Sequence, residues 1–97
     1  MADNVRMTAW FAGRVQGVGF RASTQQIAET HLVAGYVQNL SDGRVRLTVE
    51  GDACDVDALI AQVCQRLGRH IQDVKQERGR ATGEFGAPEL GALRIRY

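Results

Sequence analysis

The sequence predicts an α+β fold, a split βαβ sandwich in which a four-stranded antiparallel sheet carries two helices on one face. Strand-like and helix-like segments follow one another in the order β-α-β-β-α-β, and a glycine-rich stretch, GRVQGVGFR at residues 13–21, joins the first strand to the first helix. The chain has 97 residues and 44% hydrophobic content, which predicts a single globular domain spanning residues 1–97. A strand-like C-terminal segment allows an additional fifth strand.

The first strand is predicted from Val5 to Ala12, where apolar and polar residues alternate with the period of a half-buried strand. A helix is predicted over residues 21–33, which contain neither glycine nor proline. The residues that recur at helical spacing are Phe20, Thr24, Ile27, Ala28 and His31. The glycine-rich loop therefore connects the end of a strand to the start of a helix.

A β-hairpin is predicted next, with strands at YVQNL, residues 36–40, and RVRLTVE, residues 44–50, around a Ser41-Asp42-Gly43 turn. The second helix is predicted to begin after Asp52 as N-cap and to stop at Gly68. Its apolar stripe consists of Val56, Leu59, Ile60, Val63 and Leu67.

The C-terminal part of the chain is predicted to contain two strands, residues 71–77 and 93–97. The glycine-rich segment 78–92 between them is predicted to be a long surface excursion rather than a helix. The complete element order is that of a ferredoxin-like fold. In this topology the first and second strands run parallel with another strand between them, so residues 13–21 and Asn39 are expected to converge at one edge of the sheet.

Composition limits the possible partners. The formal net charge of +1 predicts no general attraction to nucleic acid or to a membrane, so any bound anion must be held locally. The N-terminal residues contain no apolar run typical of a signal peptide or a spanning helix, so we expect a cytoplasmic protein. These features favour a small-molecule ligand.

The cysteines and histidines predict neither a disulfide nor a metal site. Cys54 and Cys64 lie in one predicted helix, about 15 Å apart by the usual helical rise, and we interpret both as small apolar fillers. His31 and His70 are isolated in the sequence, which favours structural or surface roles over metal ligation. We therefore expect no metal and no cofactor.

The glycine loop at residues 13–21 allows two interpretations. It can be a strand-to-helix turn that needs residues able to adopt positive φ. Alternatively, its backbone N–H groups can surround an anion at a helix N-terminus, with Arg21 as the counter-charge.

The stretch GRVQGVGFR and the later stretch GYVQNLSDGRV, residues 35–45, resemble the two signature motifs of the acylphosphatase family, in the family's order and separation. The similarity runs from the first strand through the second helix, and the ending LRIRY matches the family's terminal strand. The resemblance implies hydrolysis of the carboxyl-phosphate bond of an acyl phosphate to a carboxylate and inorganic phosphate, without a metal or a covalent intermediate. We also expect a monomer.

The resemblance also implies roles for individual residues. Arg21 would bind two phosphoryl oxygens through its guanidinium fork, and Asn39 would orient the attacking water through its side-chain amide. A phosphate-binding loop would be formed by the backbone N–H groups of Gln16, Gly17, Val18, Gly19 and Phe20. The chain departs from the family pattern at positions that concern packing of the first helix, namely Ala22, Ser23, His31 and Leu32.

Two alternatives belong to other functional classes. One is a non-catalytic domain that binds phosphate or carbamoyl phosphate, as similar sequences do inside larger maturation proteins. The other is a ferredoxin-like nucleic-acid-binding module, for which Trp10 and Phe11 would supply base stacking. The predicted strand at residues 44–50 lacks the aromatic residues that such stacking needs, and the net charge is low, so we favour the acylphosphatase interpretation.

Overall fold

The computed structural model describes residues 4–97. Its strands are β1 (Asn4–Gly13), β2 (Val33–Asn39), β3 (Val45–Asp52), β4 (Ile71–Arg80) and β5 (Ala92–Arg96). Its α-helices are α1 (Phe20–Ala28), which connects β1 to β2, and α2 (Ala53–Leu67), which connects β3 to a short 3₁₀ turn (Gly68–His70) before β4. The predicted α+β class and element order are confirmed.

The five strands form one sheet in the order β4-β1-β3-β2-β5. The first four strands in this order pair antiparallel, as predicted, and the fifth strand pairs parallel to β2. Phe11 of β1 and Asn39 of β2 are both Cα partners of Val45 in β3. The end of β1, from which the glycine loop departs, therefore lies at the same edge of the sheet as Asn39.

The hydrophobic core lies between one face of the sheet and the two helices. Alternate residues of β1 and β3 supply the sheet side, namely Met7, Ala9, Phe11, Val45, Leu47 and Val49, and all are almost completely buried. The predicted stripe of α2 supplies much of the helix side, from Val56 to Leu67. Burying one such side chain contributes about 1.5–3 kcal/mol, which explains why the alternating and helical periods determine these elements.

Helix α2 begins as the sequence predicts and ends by a different mechanism. The Asp52 carboxylate accepts a 2.8 Å hydrogen bond from the backbone N–H of Cys54, which confirms the N-cap. Gly68 does follow the last helical residue, but its φ of −58° continues a right-handed helical backbone into the 3₁₀ turn. Gly68 is therefore not a left-handed helix stop.

The predicted end of α1 at residue 33 is wrong, because the helix ends at Ala28. A tight turn follows, in which the N–H of His31 donates to the carbonyl of Ala28 at 3.0 Å. Val33 and Ala34, both fully buried, then enter β2, where Val33 pairs with Gly51. Burying Val33 and Ala34 in the sheet is more favourable than continuing the helix, because a longer helix would have kept both residues out of the sheet.

The predicted surface excursion at residues 78–92 is only partly correct. Residues 78–80 extend β4, and Arg80 pairs with Val5 of β1. Residues 81–91, which we call the strap, lie on the helix-free face of the sheet. The Glu50 carboxylate attaches the strap by accepting hydrogen bonds from the N–H groups of Thr82 at 2.8 Å and Gly83 at 2.9 Å, and from the Thr82 hydroxyl at 2.9 Å.

Glu50 is a buried carboxylate, with 2% of its surface exposed. Burial alone raises the pKa of this carboxyl, but the hydrogen bonds from Thr82 and Gly83 and the nearby positive charge of Arg6 lower the pKa more, so it lies below its ordinary value. Arg6 also pairs with Glu84 and lies 5.0 Å from the ring centroid of Phe85. A single ionic cluster thus joins the sheet to the strap.

Both cysteines are free, and only one of them has the environment that was predicted. Cys64 packs partly buried against the core, and this burial raises the pKa of its thiol. Cys54 is exposed, so its interpretation as an apolar filler is wrong.

Within residues 4–97, neither helix has the combination of length and apolar character that crossing a bilayer requires.

Candidate active site

The three glycines of the loop between β1 and α1 meet two different requirements. Gly17 and Gly19 have φ values of 78° and 76°, in the left-handed region that other residues rarely adopt. Gly13 has a φ of 130°, and a Cβ atom there would lie 2.4 Å from the carbonyl oxygen of His70. The loop therefore needs two positive-φ residues to curve and one residue without a side chain to pass close to the 3₁₀ turn.

The loop leads into a helix N-terminus that has no side-chain cap. Gly19 occupies the N-cap position, and the first turn of α1 contains no acidic residue. In the part of the chain that the structure describes, the amides of residues 16–19 make no backbone-to-backbone hydrogen bond. Uncapped amides and the positive end of the helix dipole together favour an anion at this position.

A small cavity of about 180 Å³ lies beside this helix N-terminus. From the predicted site it is lined by Gly17, Gly19, Phe20, Arg21 and Asn39. Phe20 is 2% exposed and packs on Phe11, with the ring centroids 5.2 Å apart. Its side chain thus belongs to the core and fixes the start of α1 beside the cavity.

Gln16 and Val18, which the predicted loop site includes, do not line this cavity. Val18 is 40% exposed. The side-chain amide of Gln16 donates hydrogen bonds to the carbonyl oxygens of Leu40, at 2.7 Å, and Arg44, at 3.0 Å. Gln16 therefore ties the glycine loop to the β2–β3 turn that follows Asn39.

The β2–β3 turn is itself well ordered by hydrogen bonds. The N–H of Leu40 donates to the carbonyl of Arg44 at 2.8 Å, and the Asp42 carboxylate accepts from the N–H of Arg44 at 3.0 Å. This backbone hydrogen bond is the largest cause of the lowered pKa of Asp42. The predicted Ser41-Asp42-Gly43 turn is confirmed, with Gly43 at a φ of 93°.

The guanidinium of Arg21 contacts the C-terminal strand. Its Nη1 donates to the carbonyl oxygen of Arg96 at 3.3 Å, and its Cζ lies 4.8 Å from the ring centroid of Tyr97. Both contacts leave further N–H donors of the guanidinium available, because this group carries five. Arg21 is thus held at the cavity wall from one side.

Sequence reasoning missed several residues at this cavity, namely Val15, Ala22, Ile95 and Tyr97. Ala22 was interpreted only as a packing position of α1. Ile95 has the strand alternation of β5 as its signal, whereas Tyr97 has none in the sequence.

His31, another position at which the chain departs from the family pattern, is 7% exposed. Its Nε2 lies 3.1 Å from Oε1 of Gln62, which links the turn after α1 to α2.

Among residues 4–97, no three His, Cys, Asp or Glu side chains converge in an arrangement that could hold a metal ion. The loop, Arg21 and Asn39 together can bind an anion and orient a reactant beside it, because they combine uncapped amides, a guanidinium and a neutral side-chain amide.

Comparison with known proteins gives the same family from sequence and from structure. The family model described as Acylphosphatase matches residues 7–87. The acylphosphatase of Methylococcus capsulatus is 52% identical over 92 residues, which cover 92% of this chain and 96% of that protein. The acylphosphatase of Paenarthrobacter aurescens is 40% identical over 84 residues, covering 86% of this chain and 89% of that protein. The crystal structure of acylphosphatase from Bacillus subtilis superposes with a TM-score of 0.80 at 26% identity, covering 96% and 99% of the two chains.

Proposed function

The chain belongs to the acylphosphatase family, and we infer that it hydrolyses the carboxyl-phosphate bond of small acyl phosphates to a carboxylate and inorganic phosphate. The observation that carries this proposal is the cavity at which the glycine loop, Arg21 and Asn39 meet in a chain of this family. The following roles are proposals for these residues.

The phosphoryl group is bound by the backbone N–H groups of the loop and by Arg21. The loop comprises Gln16, Gly17, Val18, Gly19 and Phe20, and its two positive-φ glycines give it the curvature that lets backbone N–H groups surround an anion. The guanidinium of Arg21 binds two phosphoryl oxygens at once, which a lysine ammonium cannot do in the same geometry. These donors stabilise the charge that develops on the phosphoryl oxygens and on the departing carboxylate.

Asn39 orients the attacking water. Its side chain is neutral, so it can hold a water molecule beside a dianionic phosphoryl group without electrostatic repulsion. The water attacks phosphorus as the bond between phosphorus and the carboxylate oxygen breaks, and the proton of the water passes to a phosphoryl oxygen of the substrate. The leaving carboxylate needs little protonation, so this route requires no general base.

The side chain of Gln16 acts as a positioning group rather than as a phosphate ligand. It bridges the loop that binds phosphate to the turn that follows the water-binding residue, through the carbonyl oxygens of Leu40 and Arg44. Hydrolysis requires phosphate and water to be aligned, so the relative placement of the two segments determines the rate.

Release of inorganic phosphate from acetyl phosphate by the purified protein tests the proposed activity directly. Phenyl phosphate, a phosphate monoester, is the control substrate. We expect rapid release from the acyl phosphate and none above background from the monoester. Equal release from both would indicate a general phosphatase, and release from neither would support the alternative of a non-catalytic binding domain.

We further propose that residues 1–97 act as one monomeric domain in the cytoplasm. Charged side chains on the two edge strands support the monomer, since Lys75 and Arg78 of β4 and Arg94 of β5 disfavour edge-to-edge pairing of sheets. The two free cysteines are compatible with a reducing compartment. Sedimentation equilibrium tests the monomer, and cell fractionation tests the location.

A further inference from the structure

A second and larger cavity lies on the helix-free face of the sheet, between β5 and the strap. Its volume is about 450 Å³, compared with about 180 Å³ at the candidate active site. The residues that border it and carry the argument are Tyr36, Phe85, Glu89, Arg94 and Arg96. A cavity of this size is within the range that accommodates a small organic ligand.

Two arginines border this cavity from one strand. Arg94 and Arg96 are two positions apart on β5, so both side chains point to the same face of the sheet. Within residues 4–97, neither guanidinium makes an ion pair with a carboxylate. Arg96 lies over the ring of Tyr36, with its Cζ 3.6 Å from the centroid, which leaves the N–H groups at the guanidinium edge available.

Aromatic rings form another part of the cavity wall. Phe85 meets Tyr36 edge to face, with the centroids 5.7 Å apart and the planes at 74°. Phe85 belongs to the strap, which Glu50 attaches to the sheet through the amides of Thr82 and Gly83. The buried carboxylate of Glu50 thus holds the strap in the position that completes this wall. The cavity is therefore formed before any ligand binds.

We propose that this cavity binds a small organic anion that carries a flat aromatic ring. The anionic head group, a phosphonate, phosphate or carboxylate, is bound by the guanidinium groups of Arg94 and Arg96. The ring packs against Phe85, because Arg96 already covers the ring of Tyr36. Glu89 also borders the cavity, so the charged lining residues sum to +1, which suits a ligand with one anionic head group.

This site differs from the candidate active site, although the two have a wall in common. Ile95 borders both cavities, while Arg94 borders only the larger cavity and Arg21 only the smaller one. Occupation of the two sites can therefore be measured separately with one substitution at each. The proposal stands apart from the hydrolytic function and does not require it.

Titration calorimetry with phenylphosphonate, which combines a phenyl ring with a head group that resists hydrolysis, tests the proposal. We expect the wild-type protein to bind two equivalents. Arg94→Ala is expected to weaken one of them at least about tenfold, which corresponds to loss of a hydrogen bond between charged groups. Arg21→Ala is expected to remove the other equivalent. Arg80→Ala, which removes the same charge from exposed β4, is the matched control and is expected to bind two equivalents.

Two outcomes would overturn the proposal. One is a wild-type protein that binds a single equivalent, which Arg21→Ala abolishes and Arg94→Ala leaves unchanged. The other is methylphosphonate binding at the Arg94 site as tightly as phenylphosphonate, because the aromatic wall would then contribute nothing. Circular dichroism of each variant confirms that the fold is retained.

Discussion

The side-chain amide of Gln16 donates a 2.7 Å hydrogen bond to the carbonyl oxygen of Leu40. Leu40 directly follows Asn39, and Gln16 directly precedes Gly17 of the glycine loop. The two segments that the sequence separates by more than twenty positions are therefore joined by one side chain at the point where the proposed chemistry takes place.

Gln16→Ala is expected to lower kcat about tenfold and to change the inhibition constant of inorganic phosphate less than about threefold, because only the placement of the turn after Asn39 is lost. Steady-state kinetics with acetyl phosphate and competitive inhibition by phosphate measure both values. Gln26→Ala, at an exposed position of α1, is the matched control. An unchanged kcat, or a loss of phosphate affinity equal to the loss of kcat, would contradict the positioning role.

Arg21→Ala and Arg21→Lys are both expected to lower turnover by at least about 100-fold, since the bidentate group at the phosphoryl oxygens is removed. The far-ultraviolet circular dichroism should remain unaltered, because the side chain lies in an open cavity rather than in the core. Arg14→Ala, which removes an exposed arginine of the same loop, is expected to retain activity. Near-normal turnover of the lysine variant would show that a point charge is sufficient.

Asn39→Ala is expected to lower kcat severely while phosphate binds with almost unchanged affinity, because a residue that only orients water contributes nothing to the product complex. Arg21→Ala should weaken both. Asn39→Asp should weaken phosphate binding as well as turnover, since it places a negative charge beside a dianion. Titration calorimetry with inorganic phosphate gives the comparison. If Asn39→Ala loses phosphate binding as completely as Arg21→Ala, Asn39 is a phosphate ligand.

Glu50→Gln is expected to lower the free energy of unfolding by about 1–3 kcal/mol at neutral pH, because the charged acceptor for Thr82 and Gly83 is lost inside the protein. The pKa of Glu50 is lowered in the folded state, so its contribution is present above the unfolded pKa of about 4.3 and is lost as pH falls through the folded value. Urea unfolding across this range should show the two proteins converging in acid. A difference that stays constant down to the lowest pH would contradict the electrostatic origin.

The elements that bury one regular face are the ones that the sequence predicts well. The alternation through β1 and the stripe of α2 predict their burial because each pattern reflects direct contact with the core. The end of α1 was missed because His31 continues the helical spacing and residues 21–33 contain no glycine or proline, whereas the competing pairing of Val33 with Gly51 is a tertiary contact. Residues 78–80 were missed because they are exposed and held by backbone pairing with β1, which has no apolar signal.

The same distinction holds for the candidate site. Topology was enough to bring the glycine loop and Asn39 together, because both lie at one edge of the sheet. The contacts of Arg21 with Arg96 and Tyr97 could not be predicted, since they depend on where β5 joins the sheet. The position of the strap could not be predicted either, because predicting its attachment to Glu50 requires knowing that this glutamate is buried.

The parallel pairing of β5 with β2 affects when hydrolytic activity returns during refolding. Ile95 of β5 and the following Tyr97 complete the cavity around Arg21. Strand β5 pairs with β2, from which β3, α2, β4 and the strap separate it along the chain. Contacts between distant parts of a chain form at a high cost in loop closure and slow the folding reaction. We expect a refolding chain to recover hydrolysis only after β5 has docked on β2, so that regained turnover reports the formation of this long-range pairing.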